Sequence, residues 1–142
     1  GILSDALRHR IAVLGLEKYF CFAGLVPPDR VAEMIAAMDI VVHASLREGL
    51  ARVLPQALIA GKAAVSYDVD GAREVVLPEV TGLLVPAQDI RGLGKALARL
   101  ASDADLRERL GRVGQGRFTE AFRHERMTAS LHDLYEKLLS VS

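Results

Sequence analysis

Ser45-Leu46-Arg47-Glu48-Gly49-Leu50-Ala51-Arg52-Val53-Leu54-Pro55-Gln56-Ala57-Leu58-Ile59-Ala60-Gly61-Lys62 lies between two apolar runs, Ile40-Val41-Val42 and Ala63-Ala64-Val65. Short apolar runs bounded by turn residues read as buried strands. The stretch is therefore the middle of a strand, loop, helix, strand unit. Gly49 lets the loop turn or approach a ligand closely, and Gly61 is a normal helix stop. Pro55 belongs in the first turn, where the N–H it lacks would have no partner. The helix is thus predicted to begin near Ala51 to Val53, with its free N–H groups and positive dipole end facing the mouth where Glu48 sits. Such a mouth suits phosphate.

Glu48 and Gln56 are the polar groups of this unit least needed for solubility, one just before the helix and one in its second turn. Both could face a ligand lying over the helix start. Spacing alone accommodates equally well a solvated loop carboxylate and a surface amide.

Glu48-Gly49-Leu50, Val53-Leu54, Gln56-Ala57-Leu58 and Ala60-Gly61-Lys62 resemble the signature of the retaining, family four glycosyltransferases of GT-B fold. That signature is a Glu, seven residues and a second Glu, followed by an Ala-rich helix end, a Gly and a short strand, and here Gln56 stands eight positions after Glu48. The resemblance continues through Asp70-Gly71-Ala72-Arg73-Glu74-Val75-Val76 and Thr81-Gly82-Leu83-Leu84-Val85, so it covers nearly the whole chain.

With 142 residues, 51% of them apolar, the chain has material for one domain with a sizeable core. The 18 basic and 18 acidic residues cancel, which argues against a nucleic-acid partner. Cys21 is the lone cysteine, in the apolar run Tyr19 to Ala23, so it reads as a buried strand thiol in a reducing, cytoplasmic setting. No apolar run is long enough to span a bilayer.

Before the central unit, Leu3, Leu7, Ile11 and Leu14 form one helical stripe closed by Gly15. A strand is predicted at Tyr19 to Ala23, then a helix over Asp29 to Met38 with Val31, Met34, Ile35 and Met38 inward, then a strand over Asp39 to Ala44. His43 ends that strand, at the border of the ligand crevice of an open α/β sheet. It reads as a hydrogen-bonded structural residue rather than a metal ligand, since no second His lies at ligand spacing. After the central unit come a strand at Ala63 to Tyr67, an acidic loop in which Asp70 is expected to cap a helix over Ala72 to Leu77, and a strand at Gly82 to Val85. Helical stripes follow: Leu93, Leu97 and Leu100; Leu106, Leu110 and Val113; Phe118 and Phe122; and Met127, Leu131, Leu134 and Leu138, all read as core. Arginines between 107 and 126 alternate with acids as a solvated face. The order predicts an α/β fold, a doubly wound parallel sheet with a C-terminal helical tail.

The resemblance adds expectations of its own. The chain would be the Rossmann-like, donor-binding half of a GT-B enzyme, one nucleotide-sugar-binding domain over residues 1–142, lacking the first central strand of the sheet. Gly1-Ile2-Leu3 would end the turn that follows that strand. An N-terminal acceptor domain, with the groups that hold an acceptor glycan or lipid-linked glycan, would be missing as well, and through it the protein would meet the inner face of the membrane. The donor would be a nucleotide-diphosphate sugar, UDP-linked first and GDP-linked second, with no metal and no permanently bound cofactor. Glu48, the catalytic candidate, would accept hydrogen bonds from donor sugar hydroxyls. Ser45, Gly49, Leu50, Ala51, Arg52 and Val53 would line the donor, the N–H groups from Gly49 to Arg52 meeting sugar and diphosphate oxygens. Gln56 would stand by the ribose, and Leu25 and Val26 would offer backbone groups to the base. Because Gln56 replaces a Glu, a non-catalytic nucleotide-sugar-binding module is the alternative, and a related sugar-nucleotide epimerase a third reading.

Overall fold

The computed structural model describes residues 2–120 and 123–140. The chain divides into two compact units, Gly1–Val31 and Ala32–Ser142.

The first unit opens with helix α1 (Ser4–Val13). Gly15, at φ 65°, turns the chain out of it, a conformation that costs glycine little. Of the expected stripe only Ile11 is buried, while Leu3, Leu7 and Leu14 are exposed. Gly1 lies outside the described residues. A 3₁₀ turn, Glu17–Tyr19, leads into extended backbone at Phe20. The strand expected over Tyr19 to Ala23 does not form. Extended backbone becomes a strand only with a hydrogen-bonded neighbour, and the described residues offer it none. Cys21, expected to be buried in that strand, is exposed. Phe22 is covered instead by the Arg8 guanidinium, 4.1 Å from its ring centroid.

A second 3₁₀ turn at Pro28–Arg30 precedes α2 (Val31–Ala36), shorter than expected and with Ile35 as its buried residue. The rest alternates strands and helices: β1 (Ile40–His43), α3 (Val53–Ile59), β2 (Ala63–Tyr67), α4 (Ala72–Val75), β3 (Gly82–Val85), α5 (Ile90–Ser102), α6 (Ala104–Phe118) and α7 (His124–Leu139). The strands form a parallel sheet in the order β1-β2-β3, with Ile40 opposite Ala63, His43 opposite Ser66 and Tyr67 opposite Val85. Parallel strands need a crossover, and α3 and α4 supply it.

β2 is central and buried along its whole length. Its alternate residues feed two cores. Ala64 joins Leu54 and Leu58 of α3, Ala72 and Val75 of α4, and Phe118 of α6. Ala63, Val65 and Tyr67 join Leu100 of α5 and Leu106 and Leu110 of α6. Each fully buried leucine stabilises the fold by about 1.5–3 kcal/mol relative to exposure. Helices thus cover both faces, the doubly wound arrangement that the sequence predicts.

Two features join the layers closely. A Cβ on Gly111 would collide with the carbonyl oxygen of Gly61, and one on Gly114 would lie 2.8 Å from the Leu58 side chain. Gln115 Nε2 donates to Ile59 O at 3.0 Å. At the start of β3, buried Thr81 accepts from Leu77 N at 2.9 Å and donates to Val75 O at 2.7 Å. It closes the turn after α4 on itself.

The leucine stripe of the last helix is a correction. Met127, Leu131, Leu134 and Leu138 are 61%, 46%, 51% and 61% exposed, not core. Their spacing makes α7 amphipathic, but periodicity does not supply a surface to cover the apolar side. Phe122 falls outside the described residues.

Candidate functional site

The site grows from the carboxyl ends of β1 and β2. After His43 the chain leaves the sheet as the loop that carries Ser45 to Arg52, and after Tyr67 it leaves again as the loop from Asp68 to Gly71. The two loops are tied together. Asp70 Oδ2 accepts from the backbone N–H of Glu48 at 2.6 Å, and Gly71 N donates to Gly49 O at 2.9 Å. The second bond brings the backbones so close that a Cβ on Gly71 would lie 2.7 Å from Gly49 O. Asp70 adopts φ 45°, a left-handed conformation that Asp enters more readily than most residues. It does not cap α4 as expected: the N-cap is Gly71, with no side-chain cap bond. An aspartate that reaches a partner 22 residues away leaves no local signal. Asp68 is held apart by Arg73, at 2.9 and 2.5 Å.

Within this frame the Glu48 carboxylate is half-exposed, and one of its oxygens is engaged. Ser45 Oγ donates to Oε1 at 3.2 Å, and His43 Nε2 lies 3.8 Å from the same oxygen. Oε2 takes no partner among the described residues. The loop amides from Gly49 to Arg52 likewise donate to no backbone carbonyl among the described residues. Arg52 is the exposed N-cap of α3, while Leu50 is half-buried and Ala51 is buried in the first core, so those two can offer a ligand little but backbone. Val53, the first residue of α3, is half-buried against the same core. With seven residues α3 is short, so the loop amides themselves, more than a helix dipole, give this mouth its positive character.

Gln56 projects from α3 half-buried, and its side-chain amide has no hydrogen-bond partner among the described residues. The structure therefore brings Ser45 and Glu48 into direct contact and keeps Gln56 available on the adjoining helix. Val26, half-buried, and Leu25, 99% exposed, belong to the first unit. The structure adds His43, Asp70 and Gly71, and through His43 the buried hydroxyl of Ser66. Among the described residues, the grouping with metal-ligand spacing is His132, Asp133 and Glu136, exposed on α7 and away from this loop pair in sequence.

Residues 3–117 match the profile of the family described as glycosyl transferases group 1. The chain belongs to that family. Among curated relatives, 2-deoxystreptamine N-acetyl-D-glucosaminyltransferase of Streptomyces fradiae is 29% identical, over 89% of this chain and 32% of that protein. D-inositol 3-phosphate glycosyltransferase of Corynebacterium glutamicum is 33% identical, over 75% of this chain and 26% of that protein. The chain thus spans about a third or less of the curated relatives it matches. Among solved structures, sucrose-phosphate synthase of Thermosynechococcus elongatus superposes with a TM-score of 0.89 at 27% identity, over 100% of this chain and 36% of that one. HepE of Anabaena, solved in complex with UDP, gives 0.87 at 25% identity, over 94% and 36%. This glycosyl transferases group 1 chain therefore has the fold of a C-terminal domain of a GT-B glycosyltransferase. No helix among its described residues is long and apolar enough to cross a membrane.

Proposed function

We propose that residues 1–142 are the donor-binding domain of a glycosyltransferase that moves a sugar, with retention, from a nucleotide diphosphate to an acceptor hydroxyl. The observation that carries this reading is the Glu48 carboxylate, with one oxygen engaged by Ser45 and the other open, beside a run of unengaged loop amides from Gly49 to Arg52. A carboxylate accepts sugar hydroxyls, and aimed N–H groups stabilise the charge that develops on a departing diphosphate. Ser45 orients Glu48. Gly49, Leu50, Ala51 and Val53 contribute backbone and shape, Arg52 meets the diphosphate, and Gln56 meets the ribose. The UDP held by HepE, a relative in fold at 25% identity, supports a uridine donor ahead of a guanosine one.

The acceptor glycan and its binding groups would belong to a further domain, because the relatives are about three times as long as this chain. That domain would also make any contact with the inner, cytoplasmic face of a membrane. The domain alone is then a binder without turnover, since positioning both reactants is the larger part of the catalysis.

Calorimetric titration of UDP and GDP into the protein, with Glu48→Ala and Arg52→Ala beside it, tests the reading. UDP should bind, and Arg52→Ala should weaken it more than Glu48→Ala, which is assigned to the sugar. Absence of binding by either nucleotide would refute a donor site here.

A further inference from the structure

We propose that His43 is a positioning residue for Glu48, a bridge through which the buried hydroxyl of Ser66 sets the direction of the carboxylate. This role rests on Glu48 being the sugar ligand proposed above. It is read from a chain of contacts that starts inside the sheet. His43 and Ser66 are register partners on adjacent parallel strands, so their side chains leave the same face. Ser66 is fully buried, and its one hydroxyl proton is donated to Tyr67 O at 2.9 Å. Towards His43 it can therefore present only a lone pair. His43 Nδ1, 3.4 Å away, must be the donor in that contact.

The opposite ring nitrogen faces Glu48, with Nε2 3.8 Å from Oε1. The ring is well placed for this work because its side chain is only 13% exposed, whereas that of Glu48 is 44% exposed. The strand holds the ring, and the ring holds the loop carboxylate. Oε1 then has two protein neighbours, His43 and Ser45, and Oε2, with no partner among the described residues, is left for a ligand. A carboxylate pinned by one oxygen has lost the rotational freedom that it would otherwise lose on binding a sugar.

The two ends of the ring can be separated by substitution. An asparagine amide at 43 places its polar end near the position of Nδ1 and keeps the Ser66 contact. A glutamine amide reaches the position of Nε2 and keeps the Glu48 contact. In the full-length enzyme, release of UDP from UDP-glucose or UDP-N-acetylglucosamine is measured for wild type, His43→Asn, His43→Gln and Glu48→Ala. UDP affinity and thermal midpoint are measured on the same samples. His43→Asn should lower kcat about two- to fivefold, the loss expected when a part-exposed charge contact goes, with UDP affinity kept. His43→Gln should retain most of kcat even where its thermal midpoint falls. A strand-end residue with a purely structural task would show the reverse order, Asn tolerated and Gln damaging, and that order, or equal rates in both, overturns the proposal. Turnover that survives Glu48→Ala overturns the sugar-ligand reading and the positioning role together. Turnover lost in Glu48→Ala but indifferent to His43→Asn overturns the positioning role alone.

Discussion

The carboxylate of Asp70 holds the backbone N–H of Glu48 at 2.6 Å, and so ties the loop after β2 to the residue read as the sugar ligand in the loop after β1. Removing that acceptor frees the Glu48 backbone without touching its side chain. Asp70→Ala should therefore lower kcat/KM for donor turnover about tenfold, as expected for a hydrogen bond to a charged group. Asp70→Asn, which keeps an acceptor and tolerates φ 45°, should recover most of it. Steady-state kinetics on the pair checks this, and equal loss in both would show that charge, not tethering, is what matters.

Glu48→Ala should reduce kcat/KM far more than Glu74→Ala. Glu74 is exposed on α4, and no hydrogen bond or ion pair of its side chain among the described residues reaches the loop pair. A charge-assisted hydrogen bond that strengthens as charge develops at the anomeric carbon contributes about 1.5–3 kcal/mol, hence roughly tenfold to a hundredfold in rate. Comparable losses in the two variants would count against Glu48.

Gln56 offers a neutral acceptor and a donor where the family pattern has a carboxylate. Gln56→Glu should leave UDP affinity intact or tighten it by up to about 1 kcal/mol, because charged acceptors make the stronger bonds. Gln56→Leu should weaken it, since ribose hydroxyls would lose their partner without regaining water. Calorimetry on the three proteins decides, and an unaffected leucine variant would move Gln56 into helix packing.

Thr81 is a stability residue with no part in the chemistry. Thr81→Val keeps the shape but leaves Leu77 N–H without its acceptor, at a cost of about 1–3 kcal/mol. Denaturant unfolding should show a lower midpoint at unchanged slope, with UDP affinity unchanged in the folded protein.

Glu79 is clasped by both terminal nitrogens of Arg99, and that hydrogen bonding lowers its pKa below the ordinary 4.5. A carboxyl whose folded pKa is depressed stabilises the fold above its unfolded value and loses that contribution as pH falls through the folded one. Glu79→Gln should consequently lower the thermal midpoint at pH 7 and make progressively less difference as pH falls through the lowered folded pKa of the wild-type group. The effect should shrink in salt, as for any exposed pair.

How much was legible beforehand depended on whether the determining contact was local. β2 and β3 were readable to the residue because each is a short, largely apolar run between turn residues, as a buried strand of a parallel sheet is. The start of α3 was readable from Pro55. Asp70 was not, because its hydrogen bond to Glu48 spans a distance in sequence that capping rules never consider. Gly111 and Gly114 were hidden among leucines of the same helix: apolar periodicity marks where side chains are needed, not where their absence lets two backbones meet. Cys21 and the α7 stripe failed for one reason. Apolar sequence declares a preference for burial, and the neighbour that grants it lies elsewhere.

The carbonyl of Gly61 against Gly111 has a bearing on how new specificities could be made from this scaffold. The segment between β1 and β2 is moored at its front by Asp70 and Gly71 and at its rear by Gly111, and each mooring grips main chain. What lies between, from Leu50 to Gln56, turns Ala51 and Leu54 into the first core and leaves Arg52 exposed and Gln56 half-buried. Exchanging only Arg52 and Gln56 between homologues should therefore alter the contacts to diphosphate and ribose while the core residues and the two moorings keep the segment in register.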